Sequence, residues 1–311
     1  MPNGVSGVVR ALAGRVWPRR SSAAVLVYHR VAATTHDPFG QAVKPETFER
    51  QLRMLGDFGS LIPVGELVER MTHGRTVAGT IAVTFDDGYA DNLEVAAPVT
   101  ATLGVPITVF VTTQPVFAET PFWWDELPIA SAEAGSPAIP NAPDADTVQQ
   151  WHLTLRRESG ARRAALLREI TAVASYQRRA DAGRPMTPDE LRRLAALPGI
   201  TIGAHTVTHP SLAALPADEQ RREMAESRET LERFLGEPVR LLAYPFGKPP
   251  DVASETKAIA QALGYAAAFT TVPLPLRPDA DRFALPRLTV HEWPDDVFAE
   301  TLEALVGRQQ R

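Results

Sequence analysis

The chain of 311 residues contains no cysteine. This absence excludes disulfide bonds, thiolate nucleophiles and thiolate metal ligands, so any bound metal must use nitrogen and oxygen ligands. No run of about 20 apolar residues is present, which argues against a membrane-spanning helix. Positive charge is not in excess either, and the net charge of -5 argues against a nucleic-acid partner.

The first 22 residues form a basic segment that lacks a secretory signal. Four arginines, Arg10, Arg15, Arg19 and Arg20, interrupt its apolar stretches, whereas a signal peptide needs about 7–15 continuous apolar residues. The pattern predicts a short basic amphipathic helix that packs on the protein or frays, and weak membrane-surface association is the alternative. The missing signal predicts a cytoplasmic location, with peripheral binding at the inner membrane face as the alternative.

Strand patterns alternate with helical patterns through the rest of the chain. Apolar and β-branched runs predict strands at Ala24–Tyr28, Ile81–Phe85, Ile107–Thr112, Ile200–Gly203, Leu241–Tyr244, Ala267–Thr271 and Leu288–Val290. Helices are expected between them, including one capped at Thr187 and one over Ala217–Leu235 that ends at Gly236. The alternation predicts an α/β fold with a parallel sheet, open or closed into a barrel.

Two adjacent carboxylates, Asp86 and Asp87, directly follow one predicted strand. Two histidines, His205 and His209, follow another apolar run, Ile200-Thr201-Ile202. Open α/β sheets and α/β barrels hold their ligand-binding and catalytic groups at these carboxyl ends of strands. We therefore expect the four side chains to share one site.

The four residues together predict a divalent metal site. An Asp-Asp-Gly run alone is an ordinary turn, and a spaced histidine pair alone is a weak signal. Two neutral imidazoles and one carboxylate, however, form the usual three-ligand set of a catalytic zinc-type site with one open position. Two adjacent carboxylates repel each other unless a cation offsets them. One aspartate is expected to bind the metal, and the other to accept a proton from water that the metal activates.

Three motifs carry a family resemblance: TFDDGY at 84–89, HTVTHPSL at 205–212 and YPFGK at 244–248. In order and spacing they resemble the first three motifs of the polysaccharide deacetylases, carbohydrate esterase family 4, with its NodB-homology domain. The resemblance covers roughly Ala24 to Val290. It implies a distorted (β/α) barrel of about seven parallel strands. It also implies a hydrolase that removes acetyl groups, mainly N-acetyl groups held by linear amide bonds, from a polysaccharide or oligosaccharide.

Carried over residue by residue, the resemblance implies Asp86 as the catalytic base. It implies Asp87, His205 and His209 as the metal ligands. Zinc is the expected metal, with cobalt, nickel and manganese as alternatives.

The third motif departs from the family pattern. Many members have an arginine before the proline–aromatic pair, where it supports the catalytic aspartate; Ala243 stands at this position, and Arg287 is the candidate replacement. The resemblance implies that the backbone N–H of Phe246 stabilises the oxyanion. Tyr244 and Pro245 are candidates for the same substrate-binding turn, and a purely structural turn is the alternative.

Two histidines are candidates for the general acid that protonates the leaving group. His291 follows Leu288-Thr289-Val290 and loosely matches the Leu-x-His motif of many members. His29 ends the first predicted strand, which resembles the poly-N-acetylglucosamine deacetylase branch, where the acid histidine lies near the start. A structural histidine is the alternative for each, and His29 is the favoured candidate.

One region, about 114–184, contains no strong strand pattern. It includes Phe122-Trp123-Trp124-Asp125, a Pro/Ala-rich stretch and an arginine-rich helical segment. We expect a helical insertion over the catalytic face of one domain spanning 23–311, rather than a second domain. Because sugar rings stack on indoles, Trp124 is a candidate substrate contact, with packing in the core as the alternative for each tryptophan.

Two other functions remain open at the level of sequence. An allantoinase-like amidohydrolase acting on a small non-glycan amide or cyclic ureide would require a small closed pocket. A catalytically silent glycan-binding protein would be expected to lack a ligand or the base, whereas all four residues are present. The expected partner is an acetylated glycan, and nothing in the sequence indicates an oligomeric state.

Overall fold

The computed structural model describes residues 22–34, 37, 39–127, 144–173 and 183–307. The predicted N-terminal helix within residues 1–22 lies outside these residues, apart from Ser22. The strands found in the described residues are β1 (Ala24–Tyr28), β2 (Arg30–Val31), β3 (Ala42–Val43), β4 (Ser60–Leu61), β5 (Thr80–Phe85), β6 (Ile107–Val111), β7 (Ile200–Ala204), β8 (Leu241–Ala243), β9 (Ala267–Phe269) and β10 (Leu288–Thr289).

Helices lie between most of these strands. They are α1 (Pro45–Leu55), α2 (Val64–Thr72), α3 (Ala97–Leu103), α4 (Thr113–Phe117), α5 (Ala145–Leu155), α6 (Gly160–Val173), α7 (Pro188–Ala195), α8 (Ala217–Leu235), α9 (Ser254–Ala262) and α10 (Asp295–Val306), with a π-turn at Asn92–Ala96 and 3-10 turns at Leu212–Ala214 and Pro249–Asp251. The capping box at Thr187 is present, and helix α8 ends at Gly236 with a φ of 76°. No helix in the described part of the chain has the length and apolar character needed to cross a membrane.

The main sheet is parallel and curled into a half-barrel. Its strand order is β10-β1-β5-β6-β7-β8-β9, and β4 pairs with β5 beside this path. The described segments between β6 and β7 contain helices α4 to α7 and no strand of this sheet. The predicted α/β class, a distorted (β/α) barrel, is confirmed.

The chain before β10 lies between the two edges of the sheet. Leu285 forms a parallel bridge to Phe269 of β9, whereas Leu288 and Thr289 pair with β1. The same segment therefore contacts both edge strands, and Arg287 lies between these two sets of contacts. Its side chain is fully buried.

Alternation along the strands separates two apolar clusters. Leu26 and Tyr28 of β1 pack in the large cluster beneath the surrounding helices, whereas Ala23 and Val25 belong to a smaller cluster with Phe110, Ala243 and Phe269. Successive side chains of a strand point to opposite faces. The strand residues of the smaller cluster therefore face the barrel interior.

Candidate active site and metal centre

The same alternation directs the predicted site residues into the barrel. Asp86 continues the interior series Ala82 and Thr84, and His29 continues the series Ala23 and Val25. Tyr28 is paired with Phe85, so His29 and Asp86 follow side by side at the ends of adjacent strands. Both line one cavity of about 400 Å³. Sequence position along two strands thus places a carboxylate and an imidazole on the same face.

Asp87, His205 and His209 bring their ligand atoms together. Oδ1 of Asp87 lies 3.5 Å from Nε2 of His205 and 3.4 Å from Nε2 of His209. All three candidate ligand atoms lie within 4.8 Å of one another, and all three residues are buried. A tetrahedral zinc site with bonds of about 2.1 Å places its donors about 3.4 Å apart. The distances at Asp87 therefore fit a divalent cation.

The surroundings of the three residues also fit a metal. Oδ1 of Asp87 is buried and accepts no hydrogen bond from the described residues, which is costly without a cation. Nδ1 of His205 lies 2.8 Å from the carbonyl oxygen of Ala243. A proton on Nδ1 donated to that carbonyl leaves Nε2 with a free lone pair. The backbone thus fixes the tautomer that metal binding requires.

The two imidazoles respond differently to their surroundings. Burial and the neighbouring His205 hold the pKa of His209 well below its ordinary value, which keeps its ring neutral. Burial alone would lower the pKa of His205, but the carboxylates of Asp86 and Asp87 raise it above its ordinary value. A cation between these groups would compete with that proton. The site therefore has the electrostatics of a cation site.

Asp86 is held by a bidentate ion pair with Arg287. Nη1 and Nη2 of Arg287 donate to Oδ1 and Oδ2 at 2.7 and 2.6 Å. Burial alone would raise the pKa of Asp86, but the Arg287 guanidinium keeps it below its ordinary value. Arg287 also donates to the carbonyl oxygen of Thr270 at 3.1 Å. The carboxylate beside the candidate metal ligands is thus ionised and fixed in orientation.

The interior position of Ala243 explains how Arg287 can occupy this place. The Arg287 guanidinium lies 5.3 Å from the ring centre of Phe110 and 5.9 Å from that of Phe269. Ala243 belongs to the same interior cluster as these two rings. An arginine at either position, 243 or 287, would therefore project into the same space. The small side chain of Ala243 leaves this volume to Arg287.

Strained backbone is concentrated around these groups. Five described residues other than glycine have a positive φ, and four of them are Asp87 (74°), Thr206 (65°), His209 (60°) and Phe246 (60°). Such conformations cost on the order of 1–3 kcal/mol each and persist only where the surrounding structure enforces them. Two of the four are candidate metal ligands and a third carries the candidate oxyanion donor.

The turn after β8 presents the backbone of Phe246. No described residue accepts a hydrogen bond from the Phe246 N–H. Gly247 follows with a φ of 65°, and a Cβ at that position would lie 2.6 Å from the backbone nitrogen of Thr271. The close approach of the two chains therefore requires glycine here. The Phe246 side chain lines the cavity, 4.8 Å from the His209 ring.

The sequence predicts substrate contacts for Tyr244 and Pro245, but their side chains lie elsewhere. Tyr244 is fully buried in the cluster beneath the helices, and its hydroxyl donates to the carbonyl oxygen of Phe283 at 3.1 Å. Strand alternation explains this position, because Tyr244 follows the interior residue Ala243. Pro245 is buried and accepts from the Gly247 N–H through its carbonyl. These two residues shape the turn that presents Phe246.

The two candidate acid histidines occupy different depths of the cavity. His29 is 8% exposed, and its Nδ1 has no hydrogen-bond partner among the described residues. Burial lowers the pKa of His29, although Asp87 and Asp86 oppose this effect. His291 lies at the rim, where its Nδ1 contacts the carbonyl oxygen of Gly40. Both carboxylates therefore affect the pKa of His29, the inner histidine.

Helical segments between β6 and β7 form a second wall of the cavity. Trp124 is 5% exposed and packs 4.4 Å from the His209 ring, and its Nε1 donates to the Tyr89 hydroxyl at 2.7 Å. Trp123 packs against His152 of helix α5 at 5.3 Å. Trp124 and His152 both line the cavity, so the aromatic wall is partly core and partly cleft.

Glu223, which the sequence pattern did not single out, holds the loop that carries His209. Its carboxylate on α8 accepts from the N–H groups of Val207 and Thr208 at 2.9 and 2.8 Å, and from the Thr208 hydroxyl at 2.6 Å. Burial raises the pKa of Glu223, while these donors oppose the rise. On the opposite side, Arg163 of α6 donates to the Thr208 carbonyl. The sign of this role that the sequence offers is a glutamate on the buried face of the otherwise charged helix α8.

Comparison with known proteins identifies the family of the chain. Residues 73–268 match the family model for polysaccharide deacetylase. YxkH of Bacillus subtilis (strain 168), whose name assigns it to the polysaccharide deacetylases, is 22% identical over 268 residues, 86% of this chain and 70% of its own length. His29 and Arg287 lie outside the matched segment.

Two solved structures resemble the chain in fold. Streptococcus pyogenes deacetylase PplD, solved with acetate, has a TM-score of 0.62 and 19% identity over 91% of this chain and 98% of its own. IcaB from Ammonifex degensii has a TM-score of 0.62 and 18% identity over 92% of this chain and 97% of its own. The fold and the family match agree. The chain belongs to the polysaccharide deacetylase family.

Proposed function

We propose that the protein is a metal-dependent hydrolase that removes N-acetyl groups from a polysaccharide or oligosaccharide. One observation carries the proposal: three buried ligand atoms of Asp87, His205 and His209 converge, while the adjacent carboxylate of Asp86 is held separately by Arg287. The three-residue set offers a cation site with room for a further ligand. Asp86 remains available as a base.

Each residue then has a distinct task. A divalent metal bound here would polarise the acetyl carbonyl as a Lewis acid and acidify the attacking water. Asp86 accepts the proton from that water, since its oxygens keep lone pairs beyond those used by Arg287. The Phe246 N–H donates to the acetyl oxygen as negative charge develops on it.

The position of His29 supports an amide rather than an ester as the bond that breaks. An amine leaves only when it is protonated, so amide hydrolysis needs a general acid near the leaving nitrogen. His29 lines the same cavity as Asp86 and has a ring nitrogen without a described partner. In its protonated form His29 donates a proton to the leaving nitrogen as the C–N bond breaks and becomes neutral, while Asp86 holds the proton taken from the water. Removal of O-acetyl groups is the less favoured reaction.

The shape of the cavity supports a glycan over a small cyclic ureide. Its lining runs from the buried Asp86 and His205 to Lys248, which is exposed. A small closed pocket would be expected for the ureide reaction. Retention of the base together with all three ligands supports an enzyme over a silent glycan-binding protein.

Acetate release tests the proposal directly. Chelated protein reloaded with zinc is incubated with N-acetylated chitin-type and peptidoglycan-type oligosaccharides and with acetyl-xylan fragments. We expect Asp86→Asn to lower the rate by about 100- to 10,000-fold, the usual contribution of a general base, while zinc binding persists because the three ligands remain. Asp279→Asn, at an exposed carboxylate, is the matched control.

Wild-type protein that releases no more acetate than Asp86→Asn on all three substrate types would refute the proposal. Zinc, cobalt, nickel and manganese added in turn to the chelated enzyme would identify the preferred metal. The compartment remains a prediction, which cell fractionation would test.

A further inference from the structure

Two cations, Arg156 and Lys248, line the cavity that contains Asp86 and the candidate metal ligands. Among the described lining residues Asp86 is the sole carboxylate, and Arg287 already pairs with both of its oxygens. The chain as a whole carries a net charge of -5. Asp86 and Arg287 therefore offset each other, and the other charged side chains of the lining are Arg156 and Lys248.

Arg156 is fixed in place and yet keeps unused donors. Its guanidinium donates to Asp251, lies 4.0 Å above the centre of the Phe246 ring, and is 18% exposed. Its backbone carbonyl accepts from the Ser211 N–H at 2.6 Å. A guanidinium has five N–H donors. Among the described residues, the Arg156 guanidinium donates one hydrogen bond, to Asp251. Donors thus remain available beside Phe246.

Lys248 differs from the other lysines of the chain. Lys44 lies 3.9 Å from a carboxylate oxygen of Glu292, and Lys257 lies 2.8 Å from one of Asp281. Lys248 is exposed and has no ion-pair partner among the described residues. It stands two positions after Phe246, whose ring packs against Arg156. A lysine without a carboxylate partner, beside a guanidinium that keeps unused donors, attracts anions from solution.

From this arrangement we infer that the substrate is an anionic glycan, whose carboxylate or phosphate group binds Arg156 and Lys248 while the acetyl group reaches the metal ligands. The inference rests on the proposed function. Phe246 sets the distance between the acetyl group and the anionic group of the substrate, because its N–H faces the acetyl oxygen while its ring supports Arg156. The anionic group therefore belongs to the acetylated sugar or to the next sugar. A planar guanidinium suits a carboxylate or phosphate better than single hydroxyls.

The test compares oligosaccharides of equal length and equal acetylation. One set is neutral N-acetylglucosamine oligomers, the second carries a carboxylate on alternate sugars, and the third carries a phosphate. We expect wild-type kcat/KM to be about tenfold higher on one anionic set than on the neutral set, the size of one charge-assisted hydrogen bond. The second and third sets distinguish carboxylate from phosphate.

Charge reversal at the exposed lysine gives the decisive comparison. Lys248→Glu should lower the anionic-to-neutral ratio of kcat/KM about tenfold, and the ratio for Arg156→Lys should also fall because the planar fork is lost. Lys257→Glu, at an ion-paired lysine outside this cavity, should keep the wild-type ratio. Equal wild-type kcat/KM on neutral and anionic sets overturns the inference and leaves the deacetylase proposal standing. No acetate from any set overturns both.

Discussion

The two walls of the active-site cavity are built by different physical means. On the barrel wall, polar groups are paired with one another, as in the ion pair of Asp86 with Arg287 at 2.6 and 2.7 Å. On the helical wall, rings and a guanidinium stack, with Trp124 packed 4.4 Å from His209 and Arg156 lying 4.0 Å above Phe246. Charge-assisted pairs fix an atom's position within narrow limits, whereas stacked rings shape a surface. We therefore expect the first wall to hold the reacting groups and the second to contact the substrate.

The largest effect is expected from Arg287→Ala. Removing the guanidinium leaves the buried Asp86 carboxylate unpaired, which costs about 3–5 kcal/mol of folding free energy, and misplaces the base, which costs about 100-fold in rate. Urea unfolding and acetate release measure the two effects. Ala243→Arg combined with Arg287→Ala should recover part of both, because both positions face the same interior space. A double variant no better than Arg287→Ala would show that the two positions are not equivalent.

The same ion pair predicts a pH dependence. Arg287 holds the folded-state pKa of Asp86 below its ordinary value. This pair therefore stabilises the fold at pH values above the ordinary aspartate pKa, and the stabilisation is lost as pH falls through the lowered pKa. Arg287→Lys, which loses the bidentate fork, should move the acid limb of kcat/KM to higher pH. If the acid limb is unchanged, the group that titrates in kcat/KM is not Asp86.

The next largest effect distinguishes the deep histidine from the rim histidine. His29→Phe should lower kcat by about 100-fold on N-acetyl substrates, because it removes the proposed general acid. His291→Phe should change kcat by less than about threefold, since its ring contacts Gly40 at the rim. The opposite ranking would assign the acid role to His291. Zinc content measured on both variants excludes metal loss as the cause.

A smaller effect is expected behind the metal ligands. Glu223→Gln keeps the shape of the side chain but weakens its contacts with the two N–H groups and the hydroxyl of the 207–208 turn. Partners of metal ligands typically affect metal affinity by 10- to 100-fold, and we expect about tenfold weaker zinc binding in a chelator competition. Glu226→Gln, exposed on the same helix, should bind zinc like the wild type. If both variants bind zinc as tightly as the wild type, Glu223 stabilises the fold without affecting the candidate metal site.

The smallest effect concerns the aromatic wall. Trp124→Phe keeps an aromatic ring but loses the hydrogen bond to Tyr89, and we expect about a threefold rise in KM on long oligosaccharides with little change in kcat. Trp293→Phe, a buried tryptophan outside the cavity lining, is the matched control. Equal KM for wild type and Trp124→Phe would restrict Trp124 to packing.

Much of the fold was readable from local patterns. The predicted strands of the main sheet end within two residues of the observed bounds, because buried parallel strands appear as short apolar runs. Helix α8 and its stop at Gly236 were equally clear, since capping depends on near neighbours. Short strands such as β2 and β4 were not predicted, because two-residue pairings are determined by their partners rather than by their own sequence.

The sequence by itself predicted four residues that the structure brings together at the candidate site. Asp86, Asp87, His205 and His209 follow apolar strands, and parallel strands bring their carboxyl ends to one edge. Only the tertiary structure decided which distant groups complete it. Arg287, which the sequence offered as a candidate, meets Asp86 across 201 residues, and Arg156, which the sequence did not single out, reaches Phe246 from the helical wall. Closure of the sheet and packing of the helices set those contacts. Neither produces a characteristic sequence separation between the residues that meet.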